Sequence, residues 1–450
     1  MPVTISGDTL TYNADSFNKG TERKLEDVLE NLPGVEINDD GQIEVEGKVV
    51  QKVMVEGKDF FDGDSKLATK NIPSNAVDKV QVLKNYAEIG QLSGVTNNQD
   101  NIAINIKLKE GKKNFWFGNV MTGAGEPEVH PSTEPLYLFQ PKLFYYSPDY
   151  SVNFIGDLNN TGEVAFTRRD YYSFTGGFKR PGLSSGTNLN LGSNDIGALT
   201  LQNNRAKDIN TKFAAANFSW SPKSNLDLGG FAIFSNSRNE LQQNRLIQYT
   251  DAGIGIPNEE TQSNTFQENN LGMLKFSTKY QPDTSNQLDY EVFGQLSKSE
   301  QDQRFFSSIN SSINQLEETT PYNLSQNLNY YYTLNENDIF ALEAQHVIKD
   351  EDPFYNAILE DKLNYDSTAA NLGLDSTQSN YNLNQEKRVQ SNQLDAKLDY
   401  WRILNKKSNL NLTLGTILSH QKFDSNIFQF LDDGSRLDTN TVISNGLDIN

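Results

Sequence analysis

The chain has 450 residues, more than the roughly 100–200 of one ordinary domain, and a formal net charge of -20 with a pI near 4.6. That acidity excludes a nucleic-acid binder, because phosphate contacts need clustered Lys and Arg. Hydrophobic residues make up 36% and mean hydropathy is -0.62. No run approaches ~18 apolar residues, so helical membrane spans are excluded; a β-barrel, which meets lipid with every second residue only, is not. Cysteine is absent, which excludes a disulfide framework and thiolate chemistry.

Thr9 to Asn13 (TLTYN) alternates and reads as a short strand. A helix over residues 21–31, capped by Thr21, is expected from Leu25, Val28, Leu29 and Leu32 on one face. Pro33-Gly34 ends it. A strand at 35–37, a hairpin turn at Asp39-Asp40-Gly41, a return at 42–45, a turn at Glu46-Gly47 and a strand at 49–55 follow. Residues 71–75 (NIPSN) open a single turn before Val77, Val80, Val82 and Leu83, and Ile102, Ile104, Ile106 and Leu108 alternate in the last strand. Met1-Pro2-Val3-Thr4-Ile5 lacks a basic stretch before an apolar run, so no signal peptide is visible there.

This order resembles the plug domain of TonB-dependent receptors of Gram-negative outer membranes, of the Bacteroidetes type. The resembling residues are Leu32-Pro33-Gly34-Val35, Gly41-Gln42-Ile43, Val55-Glu56-Gly57-Lys58 and the run Ile72-Pro73-Ser74-Asn75 through Val82-Leu83, within about residues 9–112. Glu88-Ile89-Gly90-Gln91 and Asn101-Ile102-Ala103-Ile104 depart from the sugar-importing SusC-like branch, which has an aromatic-Gly pair and a Gly-Val-Ile run there. Glu46-Gly47 stands where many siderophore receptors have Arg-Gly.

From Gly111 onward the evidence is alternation. Leu288, Tyr290, Val292, Gly294 and Leu296 point one way, and Gln287, Asp289, Glu291, Phe293 and Gln295 the other. The pattern recurs around Leu274, Leu398 and Leu414. One apolar and one polar face per strand fit a barrel with lipid outside and water or a plug inside. Short connections are expected at Pro148-Asp149, 221–225, 282–286, 335–338 and 405–408. Aromatics precede each: Phe144-Tyr145-Tyr146, Trp220, Tyr280, Tyr330-Tyr331-Tyr332 and Tyr400-Trp401. Such clusters predict an interfacial girdle on the periplasmic side. The long connections, about 158–210, 250–265, 310–320 and 360–380, then face outward. About eleven strands are expected up to Phe430, roughly half of the ~22 of plugged transporters. The natural protein is therefore expected to extend beyond both Met1 and Asn450.

No catalytic constellation stands out. His130, His346 and His420 are far apart, without metal-ligand spacing. Asn38-Asp39-Asp40-Gly41 lacks the distal Glu of a calcium loop, and the segment 349–353 reads as a solvated acidic rim. The resemblance implies a plug apex carrying Phe60, Phe61 and Asp62, and a second apical loop carrying Asn75. There the two aromatics either stack on a ligand or wedge the plug against the wall. Arg168, Arg169, Tyr171 and Tyr172 (in FTRRDYYSF) fall on a long outer connection, and Tyr and Arg on loops suit recognition.

The expected fold is thus an α+β plug domain (1–112) followed by an antiparallel transmembrane β-barrel, its N-terminal half present (113–450). The resemblance implies a non-enzymatic receptor in the cell outer membrane. The resemblance further implies import of a scarce ligand by energy-driven plug rearrangement, with the TonB–ExbB–ExbD complex, outer-membrane lipid and an extracellular ligand as expected partners and a surface lipoprotein as a further candidate; no cofactor is expected. The alternatives are a non-transporting plugged surface protein (adhesin, sensor or scaffold) and a soluble secreted glycan-binding or hydrolytic β protein.

Overall fold

The structure is a computed structural model. It describes residues 2–37, 42–61, 65–86, 101–112, 114, 116–126, 134–163, 206–248, 258–309, 311–405, 408–439 and 445–449. Two sheets organise the chain. The first has eight strands: β1 (Val3–Ser6), β2 (Thr9–Asn13), β3 (Val35–Ile37), β4 (Ile43–Val45), β5 (Lys48–Val55), β6 (Lys58–Asp59), β7 (Val77–Lys84) and β8 (Ile102–Leu108). Their spatial order is β1-β2-β7-β8-β5-β4-β3, with β6 folded back on β5. β5 and β8 are parallel and the other pairs antiparallel. Helices α1 (Leu25–Leu29) and α2 (Ser65–Asn71) pack beside the sheet. Leu25, Val28, Leu29 and Leu32 are buried, as their spacing requires.

The helix itself is shorter than its apolar pattern. Lys24 is extended (φ -133°, ψ 169°) and bridges Pro73, so the helix cannot begin at Thr21. The Asp27 carboxylate, three residues into the helix, accepts from the Arg23 and Lys24 amides at 2.8 and 3.0 Å instead. Acidic groups at this end suit the exposed amides and the helix dipole. Glu46-Gly47 and Glu56-Gly57 both turn with two positive φ values, 51° and 75°, then 53° and 79°. That is the conformation a two-residue hairpin needs to match strand twist. Helix α2 was absent from the sequence reading, which had only a turn at 71–75; the turn is there as a 3-10 segment, Ser74–Ala76. The turn expected at Asp39-Asp40-Gly41 and the motif Glu88-Ile89-Gly90-Gln91 lie outside the described residues.

The second sheet has fifteen strands. They are β9 (Trp116–Gly125), β10 (Leu136–Tyr146), β11 (Tyr150–Asn159), β12 (Ala206–Lys223), β13 (Leu226–Ile247), β14 (Glu259–Tyr280), β15 (Asn286–Ser307), β16 (Ser311–Thr319), β17 (Tyr322–Asn335), β18 (Asp338–Glu351) and β19 (Phe354–Leu359). After helix α3 (Lys362–Leu372) come β20 (Tyr381–Asn405), β21 (Ser408–Phe430), β22 (Arg436–Asp438) and β23 (Asn445–Ile449). All pairing within it is antiparallel. β15 pairs with β17 along its first half and with β16 along its second, so β16 and β17 are one line broken at Pro321. β18 and β19 are likewise one line broken at Pro353. Proline has no amide to give the ladder. Its carbonyl still serves: Pro321 O accepts from Ser297 N at 3.1 Å and Pro353 O from Lys387 N at 3.0 Å. Asp352 joins the two breaks, accepting from the Thr320 amide at 2.6 Å and from its hydroxyl. Among the described residues the thirteen strands β9 to β21, less these two breaks, make the eleven lines expected up to Phe430.

In two expected outer connections the described residues are largely strand. Residues 311–319 form β16, and β14 begins at Glu259. Both faces there are polar, so the apolar alternation that marks a strand is missing although the pairing continues. The connection at 360–380 contains α3, closed by Tyr381 Oη donating to Asp366 at 2.5 Å.

Candidate functional site

The site is the contact between the first module and one face of the large sheet. Strand side chains alternate between faces, and the wall's two faces differ sharply. On one face Leu274, Leu296, Leu414 and Leu418 stay 63, 68, 75 and 61% exposed. Cross-strand pairs continue this face from Trp116 and Tyr145 on β9–β10 through Phe218, Phe276, Val292 and Leu328 to Leu398 and Leu414 on β20–β21. So large an exposed apolar surface marks contact with lipid or another protein. On β15 it runs from Leu288 to Leu296. That is roughly 30 Å of strand and, at a tilt near 40°, about 23 Å of height, close to the apolar band of an outer-membrane barrel.

The opposite face carries Phe117, Phe144, Ile155, Phe213, Phe231, Ile233, Leu271 and Met273, each 8% exposed or less. These belong to one continuous apolar core with Leu25, Leu29, Val55, Phe60, Val80 and Ile104 of the first module. The module is thus sealed against β9–β14. The fold is a plug held inside a barrel-type wall.

The aromatic clusters beside the short turns divide between the two faces. Trp116, Tyr280, Trp220 and Tyr330 stay 56, 41, 48 and 38% exposed on the outer face and make the girdle. Phe144, Tyr146, Tyr331 and Trp401 turn inward and are buried, contrary to the expectation that whole clusters form it. Neighbouring strand residues cannot share a face. Tyr331 and Trp401 instead form a small inner core with Ile339 and Ala341.

Of the candidate ligand residues, Phe60 and Phe61 are 1% and 0% exposed. Their rings meet edge to face (centroids 5.1 Å, interplanar angle 73°), and Phe60 lies 6.3 Å from Phe144 of the wall. Phe144 itself lies 5.6 Å from Phe117, the rings tilted by 32°. The pair is a wedge between plug and wall, not a ligand platform. Nor is it at an outer apex. Phe144 sits beside the short β10–β11 turn, and the neighbouring Lys58 senses Asp149 in that turn and Asp227 at the start of β13, next to the short β12–β13 turn. Burial pulls the Lys58 ammonium below its usual pKa, and those two acids offset part of the shift. Asn75 is exposed at the same end of the plug. Ala76 O accepts from Lys109 N at 2.9 Å, and a few residues on Asn114 N donates to Tyr146 O at 2.7 Å, where the chain enters the wall. The expected apical position of both segments is therefore corrected to the short-turn end. Asp62, Arg168, Arg169, Tyr171 and Tyr172 lie outside the described residues.

A polar network pins that end of the plug. Glu56 accepts from the Leu108 amide at 2.6 Å and from Lys107 Nζ at 3.3 Å. Gly57 N donates to Asn105 Oδ1 at 2.8 Å, and Asn105 Nδ2 donates to Gln81 at 2.8 Å. At the opposite end Lys84 Nζ meets both Glu46 oxygens at 2.8 Å. The acidic rim segment is also engaged: Arg388 donates from Nε and Nη2 to the two Asp350 oxygens at 3.1 and 2.8 Å. His346 faces outward and pairs with Asn392 at 2.9 Å. Among the described residues no cluster of three or more metal-ligating side chains occurs. Sequence reading missed the amide and hydroxyl rows on the inner wall above the plug. Gln267 Nε2 donates to Gln301 at 2.5 Å, Gln303 Nε2 to Ser263 at 2.8 Å and Ser299 Oγ to Asn269 at 2.6 Å. Their signal was alternation without any apolar partner.

No family model matches the chain, and no curated protein matches it. Among solved structures it is similar to the siderophore receptor PirA from Pseudomonas aeruginosa, at 10% identity and TM-score 0.24, covering 99% of this chain and 92% of that one. It is similar to the siderophore receptor PiuA from Acinetobacter baumannii at 10% identity and TM-score 0.32, covering 95% and 64%. The ferric yersiniabactin uptake receptor FyuA from Yersinia pestis gives 10% identity and TM-score 0.24, covering 94% and 62%. These are distant likenesses, and the chain spans less than two thirds of the length of PiuA and FyuA.

Proposed function

We propose that this chain supplies the plug (1–112) and a part of the barrel wall (113–450) of a TonB-dependent receptor in the bacterial outer membrane. Its task is active import of a scarce ligand. The observation that carries this is the single apolar core shared by plug and inner wall, behind an outer face that is apolar and bare. A closed plug explains why import needs energy. Burying a large apolar side chain is worth about 1.5–3 kcal/mol. The eight wall residues of the seal together hold the plug by on the order of 10 kcal/mol or more. At 1.4 kcal/mol per tenfold, spontaneous release falls below about one molecule in ten million.

On this reading TonB, energised through ExbB and ExbD, does the work of loosening the seal from the periplasmic side, where Phe60 and Lys58 sit. Ligand is captured first on the outer side, with Arg168, Arg169, Tyr171 and Tyr172 of the long outer connection as proposed contacts. Lipid covers the girdled face, and a surface lipoprotein delivering ligand is a compatible partner. The test is growth or uptake on the nutrient that requires this protein, with and without a functional TonB system. Loss of uptake without TonB supports import. Uptake that persists, or a surface-adhesion phenotype alone, replaces import with the scaffold reading.

A further inference from the structure

Away from the seal, the inner faces of β17, β18, β20 and β21 enclose a small charged cluster. Register sets Glu343 of β18 opposite Lys397 of β20, and Asp399 of β20 between Ala341 and Thr413. Lys397 Nζ lies 3.1 Å from Glu343 Oε2 and 3.7 Å from Asp399 Oδ2. The Thr413 hydroxyl donates to Asp399 Oδ1, and the Tyr331 hydroxyl lies beside Glu343. On one side the cluster borders the small inner core of Tyr331, Ile339, Ala341 and Trp401. On the other, the half-buried Asp395 follows on the same face of β20.

The two acids are deeply buried, Glu343 at 7% exposure and Asp399 at 2%. Even so, Glu343 Oε1 and Asp399 Oδ2 accept no hydrogen bond. Among the described residues Lys397 is the only Lys or Arg that pairs with either acid. Two carboxylates thus share one ammonium, and one negative charge is left over. Buried oxygens without donors cost free energy, and a buried charge without a counter-charge costs more.

The charge count selects what meets these oxygens. Water satisfies the oxygens and leaves the charge. A divalent ion overshoots, since its two charges beside Lys397 leave a surplus of one. Calcium also takes about six to eight oxygens, usually several of them carboxylate, and among the described residues no three metal-ligating side chains gather. A single hard cation of one charge balances the cluster and suits its oxygen donors.

We infer that Glu343 and Asp399 form a site for one alkali-metal cation, sodium or potassium, on the lumen side of the wall. Lys397 sets the valence, because without it the two acids would carry two charges and suit a divalent ion. The site goes beyond the receptor reading and holds for a transporter and a scaffold alike.

Trp401, two positions from Asp399 on the same face, is a built-in reporter. The full-length protein in detergent is titrated with sodium chloride or potassium chloride while tryptophan emission is followed, choline chloride keeping the ionic strength constant. Emission is expected to change saturably with sodium or potassium, and Trp401→Phe to remove the change. Glu343→Gln, which cancels the surplus charge, should weaken the apparent affinity at least tenfold. Asp399→Asn should do the same and carries the test if Glu343→Gln fails to fold, judged by heat-modifiable mobility. Lys397→Gln should act in the opposite sense, tightening cation binding and admitting calcium; a plain structural ion pair would not do this. No response to either alkali ion, or unchanged affinity in folded Glu343→Gln and Asp399→Asn, overturns the inference. Weaker cation binding in folded Lys397→Gln also overturns it. An emission change that follows pH but neither alkali ion overturns it too and gives the place to a proton.

Discussion

Replacing Phe60 by alanine should unseat the plug while leaving the wall intact. The ring is 1% exposed, meets Phe61 edge to face at 5.1 Å and approaches Phe144 of β10 at 6.3 Å. Truncating a buried Phe costs about 3–5 kcal/mol, from lost transfer energy and the cavity left behind. Its edge-to-face partner contributes about 0.5–1.5 kcal/mol beyond area, already counted in that range. A loss of about 4 kcal/mol raises the population of plug-open molecules by roughly a thousandfold. Hydrogen exchange of the β8 amides, Ile102–Leu108, in the membrane-embedded protein reads this opening directly. Exchange should accelerate by about three decades in Phe60→Ala and stay unchanged in Leu274→Ala, which alters only the outer face. Unaltered β8 protection in Phe60→Ala, in a correctly inserted protein, would refute the wedge.

Three further outcomes follow from named contacts. Leu274→Arg places a cation within the apolar band and should cost about 2–4 kcal/mol in urea-dependent folding into vesicles; equal stability to wild type would put that face away from lipid. Gly230→Ala puts a Cβ 2.4 Å from Lys275 O and 3.0 Å from the Phe218 ring, and overpacking of this kind costs about 1–3 kcal/mol in the same assay. Glu22 is held below its usual carboxylate pKa of 4.5, chiefly by the Lys19 amide, then by other backbone amides and Asn31. A depressed acid stabilises the fold fully above its unfolded pKa and loses that contribution as pH falls. Protection of residues 19–31 against exchange, taken relative to the intrinsic rate at each pH, should therefore fall as the wild type is acidified through the usual carboxylate range and below, and Glu22→Gln should abolish that dependence.

What the sequence disclosed, and what it hid, follows one physical rule. Where Leu274, Leu296 or Leu398 alternates with a polar residue, the two environments differ, and the pattern announces both the strand and its faces. The same contrast located the short turns, because chain reversal needs Pro148-Asp149 or Glu46-Gly47 whatever surrounds it. At 311–319 both faces meet water, no contrast exists, and a paired strand looked like a connection. Tyr330, Tyr331 and Tyr332 are chemically alike, so their sequence gives the girdle but not which member turns inward. Phe60 and Phe61 were recognised as either a platform or a wedge. The choice depended on Phe144, more than eighty positions away, and on which end of the plug meets the short turns. Helix α2 is seven residues, two of them lysine, and its helicity comes from packing beside α1 and β5 rather than from its own propensity.

The most direct measurement is a spin-label scan of residues 271–280 on β14 in lipid, comparing collisions with oxygen, which concentrates in hydrocarbon, and with a water-soluble nickel complex. Oxygen accessibility should peak at Gly272, Leu274, Phe276, Thr278 and Tyr280 and fall at Leu271, Met273 and Lys275, where the plug or the lumen lies. A flat profile, or one with its maxima at Leu271 and Met273, would contradict a wall with lipid on one side and a plug on the other.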